Sequence, residues 1–302
     1  MRFRFSPTRS AALLIMPSPA PRQCLPPRRP TASGTSKLPS GTCDCHCHVF
    51  APASEYPLVS VRNYTPAVAT APDYRHLMDV FGIDRAVIVQ PSVYGFDNRL
   101  LVEVVKSDSA RFRGIAVIDP DSSDDELNTL HAAGIRGVRF NLLHPAGLPL
   151  AALMPLADRI RRYGWHIQIL GRVAELPELE EIATESGVPM VIDHLGLVDP
   201  GKGSTDIGVQ RLLRLTETGR CFIKLSAPYR LAGDVQQVQA LVTTLVDAVP
   251  HTLLWGTDWP HPEFYDVIPD DVALVDLVGT WLPTPTLRQQ VLIDNPLRLY
   301  WS

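Results

Sequence analysis

From Cys43 to Thr257 the chain repeats one pattern eight times: a short apolar, β-branched run, then a longer amphipathic stretch. The runs are Cys43–Phe50, Arg85–Pro91, Gly114–Asp119, Gly137–Leu142, His166–Leu170, Met190–His194, Phe222–Ser226 and Leu253–Thr257. Strands alternating with helical stretches are the sequence form of repeated βα units. Gly82, Gly134, Gly164, Gly187 and Gly219 each stand where a helix hands over to the next strand, as left-handed caps do. Eight units within residues 41–302 predict a (β/α)8 TIM barrel with one extra C-terminal helix near Thr286–Ile293. An open doubly wound sheet would carry a glycine-rich phosphate loop after its first strand, and none follows Phe50. The long proline-rich connection Ala51–Pro72 then lies at the C-terminal mouth, where barrel enzymes build their sites.

Residues 1–40 break the pattern. They are rich in Arg, Pro and Ser and contain no Asp or Glu, so they predict a disordered basic extension outside the barrel. The patch Ala11–Met16 behind three arginines imitates a targeting signal only faintly, since it is short and no cleavage site follows. A net charge of −4 leaves no footprint for nucleic acid or an anionic membrane. No run reaches the length of a membrane span. Five cysteines in a chain of 302 residues suggest reduced thiols and a cytoplasmic setting rather than a disulfide framework. The oligomeric state is not legible.

Chemistry-bearing residues gather at strand ends. The eighth run stops at Asp258 in Gly256-Thr257-Asp258-Trp259-Pro260-His261, which places a carboxylate at the mouth. The first run reads Cys43-Asp44-Cys45-His46-Cys47-His48. Strict alternation puts Asp44, His46 and His48 inside and the three cysteines outside, against the helices. The sixth run adds His194, and the fourth adds Arg139 and Asn141 on one inward face. His76, His131, His144, His166 and His251 read as surface or packing residues, and Trp255 and Trp259 as packing.

An inward His-x-His on a first barrel strand with Gly-Thr-Asp on the eighth resembles the amidohydrolase superfamily over about residues 41–302. In that superfamily the resemblance implies metal ligands at the His-x-His, at a strand 4 Lys or Glu, at histidines on strands 5 and 6, and at the strand 8 aspartate. Here strand 4 has no Lys or Glu, and strand 5 carries Gln168 in place of a histidine. The departures, with Asn63-Tyr64-Thr65-Pro66, Gln90-Pro91-Ser92 and Asp193-His194, resemble the 2-pyrone-4,6-dicarboxylate lactonase group, whose barrel works without a metal.

That resemblance implies hydrolysis of a carboxylate-bearing lactone with no cofactor. Asp258 takes a proton from water, and His46, His48 and His194 polarise the carbonyl. Arg139, Tyr64, Ser92, Asn141, Arg230 and His261 are the candidate substrate contacts, with Arg139 suited to a carboxylate. Arg139 has a bland alternative as an ion-pair partner of Asp44, and His261 as a cap of the turn. Leu195, Gly196 and Leu197 follow His194 where the resemblance implies an arginine, so a sugar-acid lactone suits the pocket as well as a pyrone dicarboxylate. Three rivals remain: a lactone isomerase of the same group, a zinc enzyme using His46, His48 and Asp258, and a silent barrel that only binds a sugar acid.

Overall fold

The computed structural model describes residues 20–231 and 235–302, with side chains from 237 onward in the second stretch. Eight parallel strands lie side by side in chain order. They are β1 (Cys43–Cys47), β2 (Arg85–Val89), β3 (Phe112–Ala116), β4 (Ile135–Asn141), β5 (His166–Leu170), β6 (Met190–Ile192), β7 (Cys221–Leu225) and β8 (Leu253–Trp255). The ring closes just beyond β8, where Asp258 N donates to His46 O at 2.8 Å and His48 N donates to Trp259 O at 2.7 Å. The expected TIM barrel is therefore present. Its strands start and stop within a few residues of the expected runs; the third and fourth each begin two residues early, at Phe112 and Ile135.

Helices α1 (Ala71–Phe81), α2 (Arg99–Ser107), α3 (Asp124–Ala132), α4 (Leu153–Ile160), α5 (Leu179–Glu185), α6 (Ile207–Glu217), α7 (Val235–Ala248) and α8 (Asp271–Trp281) follow the strands in turn. Thr70 and Ser123 each close a capping box at the start of α1 and α3. The extra C-terminal helix is broken into Pro285–Gln289, a π turn at Gln290–Asp294, and Asn295–Tyr300. Its end plugs the barrel floor. Leu299 and Tyr300 pack with Cys43, Val87, Ile115, Val191, Phe222 and Leu254 inside the ring, and Arg113 stacks on Trp301 beneath them at 4.8 Å. No helix among the described residues is long and apolar enough to cross a membrane.

Two expectations need correcting. The first concerns the face assignment on β1. Cys43 and Cys45 point into the barrel interior, whereas Asp44 points outward and accepts from Tyr74 of α1 at 2.8 Å and from Thr257 at 2.6 Å. The reason is a bulge: the pairing with β2 shifts register between Asp44 and Cys47. An extra residue resets the in–out phase, so His46 and His48 still reach the inside while Cys47 turns toward Tyr74. Asp44 on the outer face is also out of reach as a partner for Arg139.

The second concerns the extension. Residues 20–40 run across the barrel rather than away from it. Arg22–Gln23 pairs in parallel with Tyr64–Thr65, and Cys24 is buried. Leu25 N donates to Phe264 O at 2.9 Å, and Thr35 N and Ser36 N donate to Asp276 at 2.8 and 2.6 Å. Composition spoke for disorder because the segment has few apolar side chains, but its backbone groups find partners on the barrel. Residues 1–19, which include the Ala11–Met16 patch, lie outside the described residues.

Candidate active site

At the mouth, Asp258, His46, His48 and His194 come together, as expected from the sequence. His46 Nε2, His48 Nε2 and His194 Nε2 stand 3.7, 3.6 and 3.7 Å from Asp258 Oδ1. The two β1 imidazoles are 3.3 Å apart through their Nε2 atoms. All four side chains are buried. Asp258 and His194 both sit at positive φ, 61° and 50°, a conformation that costs on the order of 1–3 kcal/mol for a non-glycine residue. For Asp258 the hydrogen bond to His46 O helps to hold it.

The two oxygens of Asp258 have different surroundings. Oδ2 accepts from Arg230 Nε at 2.9 Å and from Tyr229 Oη at 2.8 Å. Oδ1 has no hydrogen-bond partner among the described residues. The carboxylate is therefore tied to a cation through Oδ2 alone. Burial by itself would raise its pKa, but Arg230 and the imidazoles outweigh burial and hold it well below the usual carboxylate range. Burial also lowers the histidines: His46 far below its ordinary value, His48 by less, and His194 to about 4. At neutral pH the centre holds an ionised carboxylate facing neutral rings.

Ring tautomers follow from the other nitrogens. His48 Nδ1 lies 2.8 Å from Val89 O. A carbonyl only accepts, so Nδ1 carries the proton and His48 Nε2 presents a lone pair. A neutral His48 thus accepts at Nε2, which is at odds with its expected role as a donor to the carbonyl. His194 Nδ1 meets Ser226 Oγ at 2.8 Å, a hydroxyl that can play either part. His46 Nδ1 lies between Asp193 Oδ1 at 3.2 Å and Lys224 Nζ at 3.1 Å.

The remaining candidates divide into two groups. Arg139, Asn141, Ser92 and Tyr64 gather on one side of the mouth. Asn141 Nδ2 donates to Ser92 Oγ at 2.9 Å. Arg139 donates one N–H to Gln90 O at 3.0 Å, while its buried Nε has no hydrogen-bond partner among the described residues. Arg230 and His261 serve Asp258 instead. The three nitrogens of Arg230 are committed to Asp258, Glu263 and Pro262 O. His261 is fully buried, with Nδ1 on Tyr229 Oη at 2.7 Å and Nε2 on Asp271 at 3.0 Å. His261, buried with both ring nitrogens engaged, is corrected from a substrate contact to a support of the carboxylate; Arg230 supports it too and keeps further N–H groups uncommitted among the described residues.

Sequence reasoning missed Lys224 and His144 as site residues. Lys224 is wholly buried in β7 and bridges Asp193 and His46. A lysine inside an apolar strand, Cys221-Phe222-Ile223-Lys224-Leu225, was the available signal, because such a charge is buried only when paired. His144, expected as a surface or packing residue, is buried edge-on against Tyr64 at 6.0 Å. Its Nδ1 accepts from Ala146 N, so Nε2 carries a proton, and it has no partner among the described residues.

His46, His48 and Asp258 also form a group whose ligand atoms all lie within 4.8 Å of one another. An imidazole–imidazole–carboxylate set with a partnerless Oδ1 at its centre suits one tetrahedral cation, provided His46 offers a lone pair at Nε2. The bridging lysine or glutamate of a two-metal site is absent from β4, and β5 has Gln168 donating to Asp193 at 3.1 Å.

The amidohydrolase family profile matches residues 43–301. The chain belongs to the amidohydrolase family. This amidohydrolase is 39% identical to a 2-pyrone-4,6-dicarboxylate hydrolase of Comamonas testosteroni, over 88% of this chain and 92% of that one. It is 33% identical to a 4-sulfomuconolactone hydrolase of Hydrogenophaga intermedia, over 92% and 94%. Its fold superposes with TM-score 0.78, at 27% identity, on a probable 2-pyrone-4,6-dicarboxylic acid hydrolase of Acinetobacter baumannii crystallised with citric acid, covering 87% of this chain and 100% of that one.

Proposed function

We propose that this amidohydrolase hydrolyses a lactone bearing a carboxylate or similar anion. The observation that carries the reading is the partnerless Oδ1 of Asp258, aimed at three imidazoles while Oδ2 is pinned by Arg230 and Tyr229. Water hydrogen-bonded to Oδ1 and to the lone pair of His48 Nε2 attacks the ester carbon, and its proton passes to Asp258. The ring C–O bond then breaks, and the same proton goes to the departing oxygen, giving a ring-opened acid. Arg230 makes Asp258 a weaker base but, once protonated, a stronger acid toward that oxygen. N–H groups of His46 and His194 receive the charge that develops on the carbonyl oxygen. Arg139, Tyr64, Ser92 and Asn141 hold the anionic end, Arg139 through its charge.

The relatives named for pyrone-dicarboxylate and sulfomuconolactone hydrolysis support a planar or unsaturated anionic lactone. A panel of 2-pyrone-4,6-dicarboxylate, sulfomuconolactone and sugar-acid lactones, followed by acid release in 18O-labelled water, tests the reading. One solvent oxygen in the product supports hydrolysis. A product without it points to isomerisation inside the substrate.

The span of the His46, His48 and Asp258 donors would also accommodate a metal-assisted version. A zinc ion held there would supply Lewis-acid polarisation of the carbonyl. We favour the metal-free version, in which the protein's own N–H groups do this work. Activity lost to a chelator and restored by zinc would overturn it.

A further inference from the structure

Lys224 Nζ, His46 Nδ1 and Asp193 Oδ1 form a buried triangle with sides of 3.1, 3.1 and 3.2 Å. A neutral His46 ring admits two proton placements. With the proton on Nδ1, the ring donates to Asp193, and an ammonium N–H meets a ring N–H at 3.1 Å, donor against donor. His46 Nε2 is then a lone pair 3.3 Å from the lone pair of His48 Nε2 and 3.7 Å from the Asp258 carboxylate, with nothing positive between them. With the proton on Nε2, the ammonium donates to both His46 Nδ1 and Asp193 Oδ1, and His46 Nε2–H points at two acceptors. Every buried group in the triangle is then satisfied. Gln168, donating to Asp193 Oδ2 at 3.1 Å, keeps the other carboxylate oxygen turned to the lysine.

We propose that Lys224 is a positioning residue: by donating to His46 Nδ1 its ammonium keeps the ring proton on Nε2, so that His46 faces the substrate as a hydrogen-bond donor and not as a metal ligand. The proposal rests on the lactone-hydrolase reading above, and it says what decides between the metal-free and zinc-bound versions of one centre. Without the lysine, Asp193 becomes the acceptor for Nδ1–H, Nε2 is bared, and the His46, His48 and Asp258 set becomes competent to hold a cation.

The test uses the full chain labelled with 15N-histidine, with the His46 signals assigned by their loss in His46→Asn. In the wild-type protein the long-range 15N–1H pattern should show His46 protonated at Nε2, and zinc content after growth in zinc-supplemented medium should be well below one per chain. In Lys224→Met the proton should move to Nδ1 and zinc affinity should rise by about 10–100-fold, the usual size of an effect from a group behind a metal ligand. A wild-type His46 protonated at Nδ1 overturns the proposal, as does zinc uptake unchanged by Lys224→Met. If that variant does not fold, the wild-type tautomer decides alone. Because neither readout needs turnover, the lactone reading and the role of Lys224 can fail separately.

Discussion

Asp258 is held on one oxygen and left open on the other, and that asymmetry sets two expectations at the scale of single residues. Asp258→Asn removes the proton acceptor while keeping the shape, so kcat should fall by about 10²–10⁴-fold, the range of general acid–base catalysis, with KM little changed. Steady-state kinetics on the best lactone of the panel checks it. Arg230→Met removes the charge that keeps Asp258 well below the usual carboxylate range. In the proposed mechanism the ionised form is the active one, so the acid limb of kcat/KM against pH should move upward; a limb that stays put would mean the arginine does not set the basicity of Asp258. The residues at the centre were legible from strand-end positions alone, because histidines and an aspartate there have few structural uses. Their partners were not. Arg230 and Lys224 lie 28 and 178 residues from the groups they touch, and a linear pattern carries no information about such contacts.

At the scale of elements, alternation put Arg139 and Asn141 on one face of β4, and it failed on β1. A period of two puts Asp44 on the face of His46, yet the bulge between them sends one outward and leaves the other inward. His46 and His48 were placed on the inner face correctly because both follow the bulge. Gly137 on β4 shows how little slack the barrel wall has. A Cβ there would lie 2.7 Å from the His166 ring and 2.8 Å from its carbonyl oxygen. Gly137→Ala should therefore cost about 1–3 kcal/mol of stability, as overpacking does, read from urea denaturation. The strap of residues 20–40 makes a further prediction. Deleting residues 1–30 removes the pairing with Tyr64–Thr65. It should raise KM while circular dichroism of the barrel stays unchanged, since Tyr64 is one of the proposed substrate contacts.

For the whole molecule, the repeat pattern carried the architecture, and the buried titrating groups set its response to acid. Burial lowers His46, His48, His194 and His166, the last to about 3. In the unfolded chain each takes up a proton near pH 6.5, and in the folded chain only at lower pH. Stability is then full above pH 6.5 and drains as pH falls below it, for His194 down to about 4 and for His166 down to about 3. Asp193 and Asp258 are held well below the usual carboxylate range by their cations despite burial, so their share is lost only below about pH 4. Calorimetric melting at pH 7 and pH 5 should show a clear drop; equal Tm values would mean these rings titrate alike in both states.

The floor of the ring has a consequence for how the protein comes into being. Tyr300 and Leu299 lie against Cys43, Val87 and Phe222, so the first strand's interior is covered by side chains made long after that strand and after the other seven. While synthesis proceeds, a partly emerged chain exposes an apolar tube open at its base. Final closure waits for the segment that carries Leu299 and Tyr300, and until it docks the open base is the apolar surface most exposed to aggregation.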